Sequence, residues 1–209
     1  MRAFVDVAAH PAAEPDALLL AAAAEFVPVD APRVERRLDD LAATLLRTVS
    51  PGGEAEDHAE ALLGVVRGYR LRVAESVGPA NALLSEVVER RVGHPLLLAA
   101  VCTEAGRRAG IDAAPVEAGH GHLVGVRAGE RAVVIDPGGG HPHPPGQVRW
   151  MCAHEVAFAA LAELSRLYAM HGRILEAMRA ARMRAALPVP ARIQAQIEFE
   201  AKALQAQLN

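Results

Sequence analysis

The chain has 209 residues, of which 52% are hydrophobic and 3% aromatic, and its formal net charge is −3. This length suits one compact domain, or one domain with an appendage, and the apolar content is enough to bury a core of Ala, Leu and Val. The charge excludes a global attraction to nucleic acid or anionic lipid. Because no apolar run approaches the length of a membrane span and no signal-like segment opens the chain, we expect a cytoplasmic protein.

The first part of the chain is predicted to be helical. Glu14-Pro15-Asp16 leads into an apolar run, with the proline in the first turn, where a helix tolerates it. Between 32 and 49 the apolar residues recur at steps of three and four and therefore share one helix face. A further helix is predicted over 54–67. Residues 68–80 hold two glycines and a proline without a helical period, which predicts a long connection.

The stretch 81–140 is the part around which the rest of the chain is arranged. A helical run begins at Pro95 and ends before Gly110, and two short β-like segments follow it. His122 opens the first of these segments and Asp136 closes the second. This order, a helix followed by a strand with His and a strand with Asp, resembles the chain order of the transglutaminase branch of the papain-like fold.

A Pro/Gly-rich segment over 137–146 cannot be continued by a helix or a strand. Beyond it, two Ala/Leu-rich helices are predicted over 151–171 and 173–187, followed by a third from 191 to the end. We therefore divide the chain into a domain over 1–146, with helices covering it at the N-terminus, and a helical tail over 147–209.

Several blocks, taken in order, resemble the bacterial SirB-type family of transglutaminase-like proteins. In that family the pattern N-S-x-L-x-x-V-L-x-R-R-x-G-x-P precedes a helix that ends in E-x-x-R-R-x-G. The matching residues here are Asn81 to Pro95, then Glu104, Arg107, Arg108 and Gly110, then Gly121 to Val124 and Val134 to Gly139. The tail over 161–190 resembles the tetratricopeptide-like helix pair often found after this domain. The family's Ser two residues after the Pro is Leu97 here, and glycine and histidine replace its aromatic pair.

Active members of the wider superfamily use a thiolate at a helix N-terminus, a His that takes its proton, and an Asp or Asn that orients the His. Counting back from Gly110 places the nucleophile position on Pro95, which has neither a nucleophilic side chain nor an N–H for an oxyanion. Cys102 lies about 10 Å further along the helix, too far to replace it. His122 and Asp136 are then a relic base–orienter pair, or a structural hydrogen bond between neighbouring strands.

Other polar residues allow more than one interpretation. Cys102 and Cys152 lie in apolar helical runs, which predicts buried, reduced thiols. Glu104 lies in an apolar helix, and Arg90 or Arg91 is its expected partner. Pairs spaced as H-x-H can chelate a metal, so a zinc site with Asp136 is an open alternative, although the resemblance implies no metal or cofactor. The histidines concerned are His94, expected to face His122, and His120, His122, His141 and His143.

We therefore expect an α+β, helix-rich protein with a small antiparallel sheet packed on the helix that begins at Pro95. The first functional hypothesis is a non-catalytic transglutaminase-like protein that binds a protein or peptide partner. It expects no binding to nucleic acid or membranes. The alternative is a hydrolase or acyl-transfer enzyme that uses His122 and Asp136 with a metal or an unidentified nucleophile.

Overall fold

The structure, a computed structural model, describes residues 3–50, 52–76, 78–119, 121–139, 141–142 and 147–206. The helices predicted over 32–49, 54–67, 151–171 and 173–187 are observed to within three residues at each end, whereas the helix at 4–8 was not predicted. The C-terminal pair of helices turns at Gly172 with φ +71°. The α-helices are α1 (Phe4–Ala8), α2 (Pro15–Ala24), α3 (Ala31–Leu46), α4 (Ala55–Tyr69), α5 (Leu84–Arg90), α6 (Pro95–Arg108), α7 (Ala153–Met170), α8 (Ile174–Ala185) and α9 (Ala191–Gln205), and a 3₁₀ helix covers Pro79–Ala82.

The strands form one antiparallel sheet and one short parallel pair. They are β1 (Arg72–Val73), β2 (Val92–Gly93), β3 (Asp112–Ala118), β4 (Gly121–Ala128), β5 (Arg131–Asp136), β6 (His141–Pro142) and β7 (Arg149–Trp150). The five-stranded sheet has the order β6-β5-β4-β3-β7, whereas β1 pairs in parallel with β2. The predicted α+β class, rich in helix with a small antiparallel sheet, is confirmed. The connection predicted over 68–80 contains β1 and part of the 3₁₀ helix.

Helix α6 lies at the centre of the fold and packs against β3 and β4. Eleven of its 14 residues, 96–106, are buried, so the helix is enclosed on every side except at its ends. A Cβ atom at Gly106 would lie 3.3 Å from the Cβ of Ala113, so glycine lets β3 pack closely there. Gly110, with φ +80°, ends the helix in the left-handed region that glycine tolerates.

The predicted partners of Glu104 are wrong. The Glu104 side chain is fully buried, and its Oε2 accepts hydrogen bonds from Nε and Nη2 of Arg107 at 3.2 and 2.8 Å. Arg108 lies 3.9 Å from the same oxygen and also pairs with Asp16 on α2. The physical reason is helical spacing, since residues three and four positions on lie on the same face. Arg91 instead stacks its guanidinium over Tyr69, 4.3 Å from the ring centroid.

The hydrophobic core is continuous from the N-terminal helices through α6 and the sheet to α7 and α8. Leu97 and Val124 belong to the same buried cluster as Leu161 and Tyr168. The C-terminal helices therefore pack onto the rest of the fold, and the division of the chain at residue 147 stays a prediction. No helix in the described ranges is both long and apolar enough to cross a bilayer.

The Glu104 cluster generates a stability prediction. Glu104→Ala should lower the free energy of unfolding by about 3 kcal/mol, because it leaves a cavity and removes the buried partner of Arg107 and Arg108. The matched control is Glu60→Ala, which removes a side chain that is 67% exposed and paired with Arg67, and should cost less than about 1 kcal/mol. Urea denaturation of both variants measures the difference, and equal losses would contradict the buried cluster as a stabilising element.

Candidate functional site

The N-terminus of α6 is closed by the residue that precedes it. His94 is the N-cap, and its Nδ1 accepts a hydrogen bond from the backbone N–H of Leu96 at 3.3 Å. The N–H groups of Leu97 and Leu98 donate to the carbonyl oxygen of His94 at 2.9 and 3.1 Å. Pro95 occupies the first helical position and has no N–H. The first turn of α6 therefore has no unpaired backbone donor for a ligand.

His122 lies on β4 and faces His94, as predicted. The two ring centroids are 6.2 Å apart. In the β3–β4 ladder His122 pairs with Glu117, and directly opposed residues share a face of the sheet. Arg149 on β7 donates to Glu117 at 2.8 Å. The Nδ1 atom of His122 is buried and has no hydrogen-bond partner among the described residues.

A carboxylate from the C-terminal part of the chain lies beside His94. Glu163 on α7 places Oε1 3.9 Å from Nε2 of His94. Arg166, one turn later, holds Glu163 through its Nε at 2.9 Å. Because Nδ1 of His94 accepts the Leu96 N–H, a neutral His94 carries its proton on Nε2, toward Glu163. We call the side chains His94, His122 and Glu163 the histidine cluster.

Burial and the neighbouring charges set the protonation of this cluster. Burial lowers the pKa of His94 below its usual value, and the nearby Glu163 opposes that shift only in part. Burial likewise lowers the pKa of His122, with a smaller opposing effect from Glu117. The hydrogen bond from Arg166 lowers the pKa of Glu163. Near pH 7 the cluster therefore holds two neutral imidazoles beside an ionised carboxylate.

The histidine cluster lies in a cleft of about 890 Å³. One wall comes from the start of α6 and from β3, β4 and β7, and the other comes from α7 and the segment 187–193. The apolar lining includes Pro95, Met151, Phe158, Leu187, Val189 and Ile193, and the polar lining includes Glu117, Arg149, Cys152, Glu155 and Arg166.

Asp136 does not join this cluster. Its Oδ1 accepts a hydrogen bond from the backbone N–H of Gly138 at 2.8 Å, so it stabilises the turn after β5. The hairpin between β4 and β5 has a two-residue loop, and its ladder pairs Val124 with Ile135. That register, extended by two residues, sets His122 opposite Pro137 and puts Asp136 on the other face. The predicted hydrogen bond between His122 and Asp136 is not formed.

The two cysteines differ in environment. Cys102 is 1% exposed, and burial raises its pKa to about 12, which confirms the predicted inert thiol. The prediction of a buried thiol is wrong for Cys152, which is exposed and lines the cleft. It is the N-cap residue of α7, outside the helix, and its N–H donates to Glu155 at 2.8 Å. The apolar residues around Cys152 in the sequence did not reveal that α7 begins only at Ala153, which leaves Cys152 outside the helix.

The remaining histidines do not converge on a metal site in the described part of the chain. His141 is exposed on the edge strand β6, and its Nδ1 lies 3.0 Å from the carbonyl oxygen of Pro142. His120 and His143 lie outside the described residues. Among residues that are described, no three His, Cys, Asp or Glu side chains are grouped so as to hold a metal ion.

An α+β fold centred on α6, with a histidine facing the helix N-terminus across a cleft, agrees with the arrangement expected from the chain order. The family model of the transglutaminase-like superfamily matches residues 32–178, which is most of the chain. The chain therefore belongs to the transglutaminase-like superfamily. No curated protein and no solved structure matches it.

The site geometry predicts which carboxylate controls the histidines. Glu163→Gln should lower the pKa of His94, because it removes the neighbouring negative charge that favours the imidazolium. Asp136→Ala should leave the histidine titrations unchanged and lower the free energy of unfolding by about 1 kcal/mol through the lost turn hydrogen bond. NMR titration of the histidine ring protons measures both. A shift of the His122 titration in Asp136→Ala would contradict the observed separation of Asp136 from His122.

The same pKa shifts fix the pH dependence of stability. His122 has a lower pKa in the folded than in the unfolded protein, so the unfolded state binds more protons on acidification. The stability contributed by the neutral ring is present above pH about 6.5 and is lost as the pH falls toward the folded-state pKa. His122→Gln should flatten this loss between pH 7 and pH 5, measured by urea denaturation. His10→Gln, at an exposed position near the N-terminus, is the control.

Proposed function

We propose that this chain is a non-catalytic member of its superfamily, whose cleft binds a peptide or a segment of a protein. One observation carries this proposal: Pro95 stands where the thiol would be needed, at the first position of α6, and His94 caps the same turn. A thiolate at a helix N-terminus is stabilised by the helix dipole and by free N–H groups. At the start of α6 the helix dipole is present but there is no thiol, and the N–H groups of the first turn are already paired.

The cleft itself supports binding. Its apolar wall is formed by Met151, Phe158 and Leu187, and at its polar end lie the neutral His122 ring and the ionised Glu163. An apolar concavity with a few convergent polar groups is typical of ligand sites. A volume near 890 Å³ accommodates several residues of an extended peptide, whose amide groups could pair with the imidazoles. A peptide or protein partner thus fits better than a nucleic acid or a lipid surface.

A second candidate function is thiol chemistry, and the position of Cys152 favours it. This exposed thiol lies at the N-cap of the 18-residue helix α7 and lines the same cleft as His94 and His122. The neighbouring Glu155, which accepts the Cys152 N–H, weighs against a stabilised thiolate because like charges repel. The first function is therefore our conclusion, and Cys152 is the nucleophile that this second candidate would use.

A peptide-retention experiment separates the two functions. The immobilised protein is incubated with a random synthetic peptide library, and both retained and released peptides are identified by mass spectrometry. We expect a subset to be retained with unchanged masses. Ala162→Trp, which fills the cleft, should abolish retention, whereas Met170→Trp, on a residue that is 68% exposed outside the cleft lining, should not.

The opposite outcomes are equally informative. Peptides with altered masses that disappear with Cys152→Ser would establish the thiol function. Equal retention by the wild type and by Ala162→Trp would show that the cleft does not bind peptides.

Pro95 can be tested directly as the former nucleophile position. Pro95→Cys, in a variant that also carries Cys102→Ser and Cys152→Ser, should place a thiol at the start of α6 facing the histidines. Its pKa should lie below about 8.5, because the helix N-terminus and the nearby imidazoles favour the thiolate. The pH dependence of iodoacetamide alkylation measures this pKa. An ordinary value that does not change with His122→Ala would mean that Pro95 is not the position of the superfamily's nucleophile.

A further inference from the structure

The wall of the cleft formed by 187–193 comes from outside the part of the chain that matches the superfamily. The family match ends at residue 178, yet Leu187, Val189 and Ile193 line the cleft. Leu187 is 4% exposed and anchors the end of this segment that follows α8. Pro190 precedes α9 in an extended conformation, with φ −58° and ψ 148°. The matched domain alone would leave this side of the cleft open.

Helix α9, which continues this wall, packs on α8 but buries few of its side chains. Only Ile197 of its 15 residues is buried, whereas α7 has eight buried residues among 18. Phe199 on α9 is 74% exposed. An element with so little buried apolar surface belongs to the part of a fold that opens most readily.

An ion pair joins α9 to α8 beside the cleft, and its arginine also contacts an aromatic ring on α7. Nη1 of Arg184 on α8 donates to Glu200 on α9 at 2.6 Å, and the Arg184 guanidinium lies 4.6 Å from the ring centroid of Phe158. Phe158 in turn lines the cleft. The Nε atom of Arg184 is buried without a hydrogen-bond partner in the described residues, so the hydrogen-bonding groups of this contact are incompletely paired.

The space beneath α9 adjoins the cleft. A second cavity of about 420 Å³ lies between α7, α8 and α9, and Ala162 and Arg166 line both cavities. Leu204 and Glu200 of α9 close this second cavity. Removing α9 would therefore join the two into one trough along α7, long enough for a more extended ligand than the closed cleft accepts.

We infer that α9, with the connector 188–190, is a displaceable cover of the cleft, and that a peptide partner gains full access by displacing it. The prolines of the connector lack N–H groups and prevent α8 from continuing, so α9 moves as a separate rigid element. This inference rests on the proposed binding function for the partner, but the opening of the cover is measurable without any partner.

The test uses thiols at three depths in the full chain. Ala162→Cys introduces a thiol where the two cavities meet, the exposed Cys152 reports the reagent, and the buried Cys102 reports loss of the core. Site-resolved labelling with N-ethylmaleimide is followed by mass spectrometry. Ile197→Asp should raise the labelling rate at position 162 by at least about tenfold, because a carboxylate disfavours the buried seat. Cys152 should keep its rate and Cys102 should stay unlabelled.

Phe199→Ser is the matched control, since it changes an exposed residue two positions along the same helix and should leave all three rates unchanged. If Ile197→Asp also exposes Cys102, it is replaced by Glu200→Arg, which breaks the pair with Arg184 and the hydrogen bond from Gln196 within α9. An unchanged rate at position 162 in the variant that keeps Cys102 protected overturns the cover. Peptide retention without such opening would leave the binding function standing, and opening without retention would leave the cover standing.

Discussion

The complete burial of α6 is the constraint on which the rest of the structure depends. A helix whose residues 96–106 are all buried leaves only its two ends in contact with polar groups. Its orphan N–H and carbonyl groups, and any charge it carries, must be satisfied at those ends. At the N-terminal end His94 accepts helix N–H groups. At the C-terminal end Gly110 and Ile111 donate their N–H groups to the last carbonyl groups, and Arg107 and Arg108 pair with the buried Glu104 and with Asp16.

The N-terminal end of α6 explains the orientation of His94 and its proximity to Glu163. Pro95 fits the first turn of α6 because its missing N–H would have no partner within the helix. The next N–H, that of Leu96, donates to the ring of His94. This arrangement fixes the His94 tautomer and directs Nε2 to Glu163 on α7. The C-terminal helices are therefore part of the site, because they supply its carboxylate and one wall of its cleft.

The sequence predicted those features that local patterns control. Helix limits followed from capping residues and prolines, the depth of Cys102 followed from its apolar neighbours, and the meeting of His94 with His122 followed from the order of helix and strand. It could not predict the position of Asp136, because a two-residue hairpin loop sets the register of β4 against β5 and one residue of register changes the face. Chain order gives the same sequence of His and Asp for either register.

The other errors share a physical cause. Tertiary contacts select between partners that the local sequence does not distinguish. Glu104 had arginines available at 90, 91, 107 and 108, and helical spacing on a buried surface selected the last two. Cys152 and Glu163 carry no sequence pattern that distinguishes them from packing or surface residues. Their roles appear only when α7 is placed beside β4 and the start of α6.

The ring of His122 carries a nitrogen, Nδ1, that is buried without a hydrogen-bond partner among the described residues. A buried polar atom without a partner costs about 1–3 kcal/mol, and the folded protein retains one at the polar end of its cleft. Burial also keeps this ring neutral, so it presents a donor and an acceptor and no charge. An apolar side chain at the same place would remove the cost and keep the strand. If the cleft binds a peptide as we propose, His122 contributes an uncharged hydrogen-bonding ring to its lining.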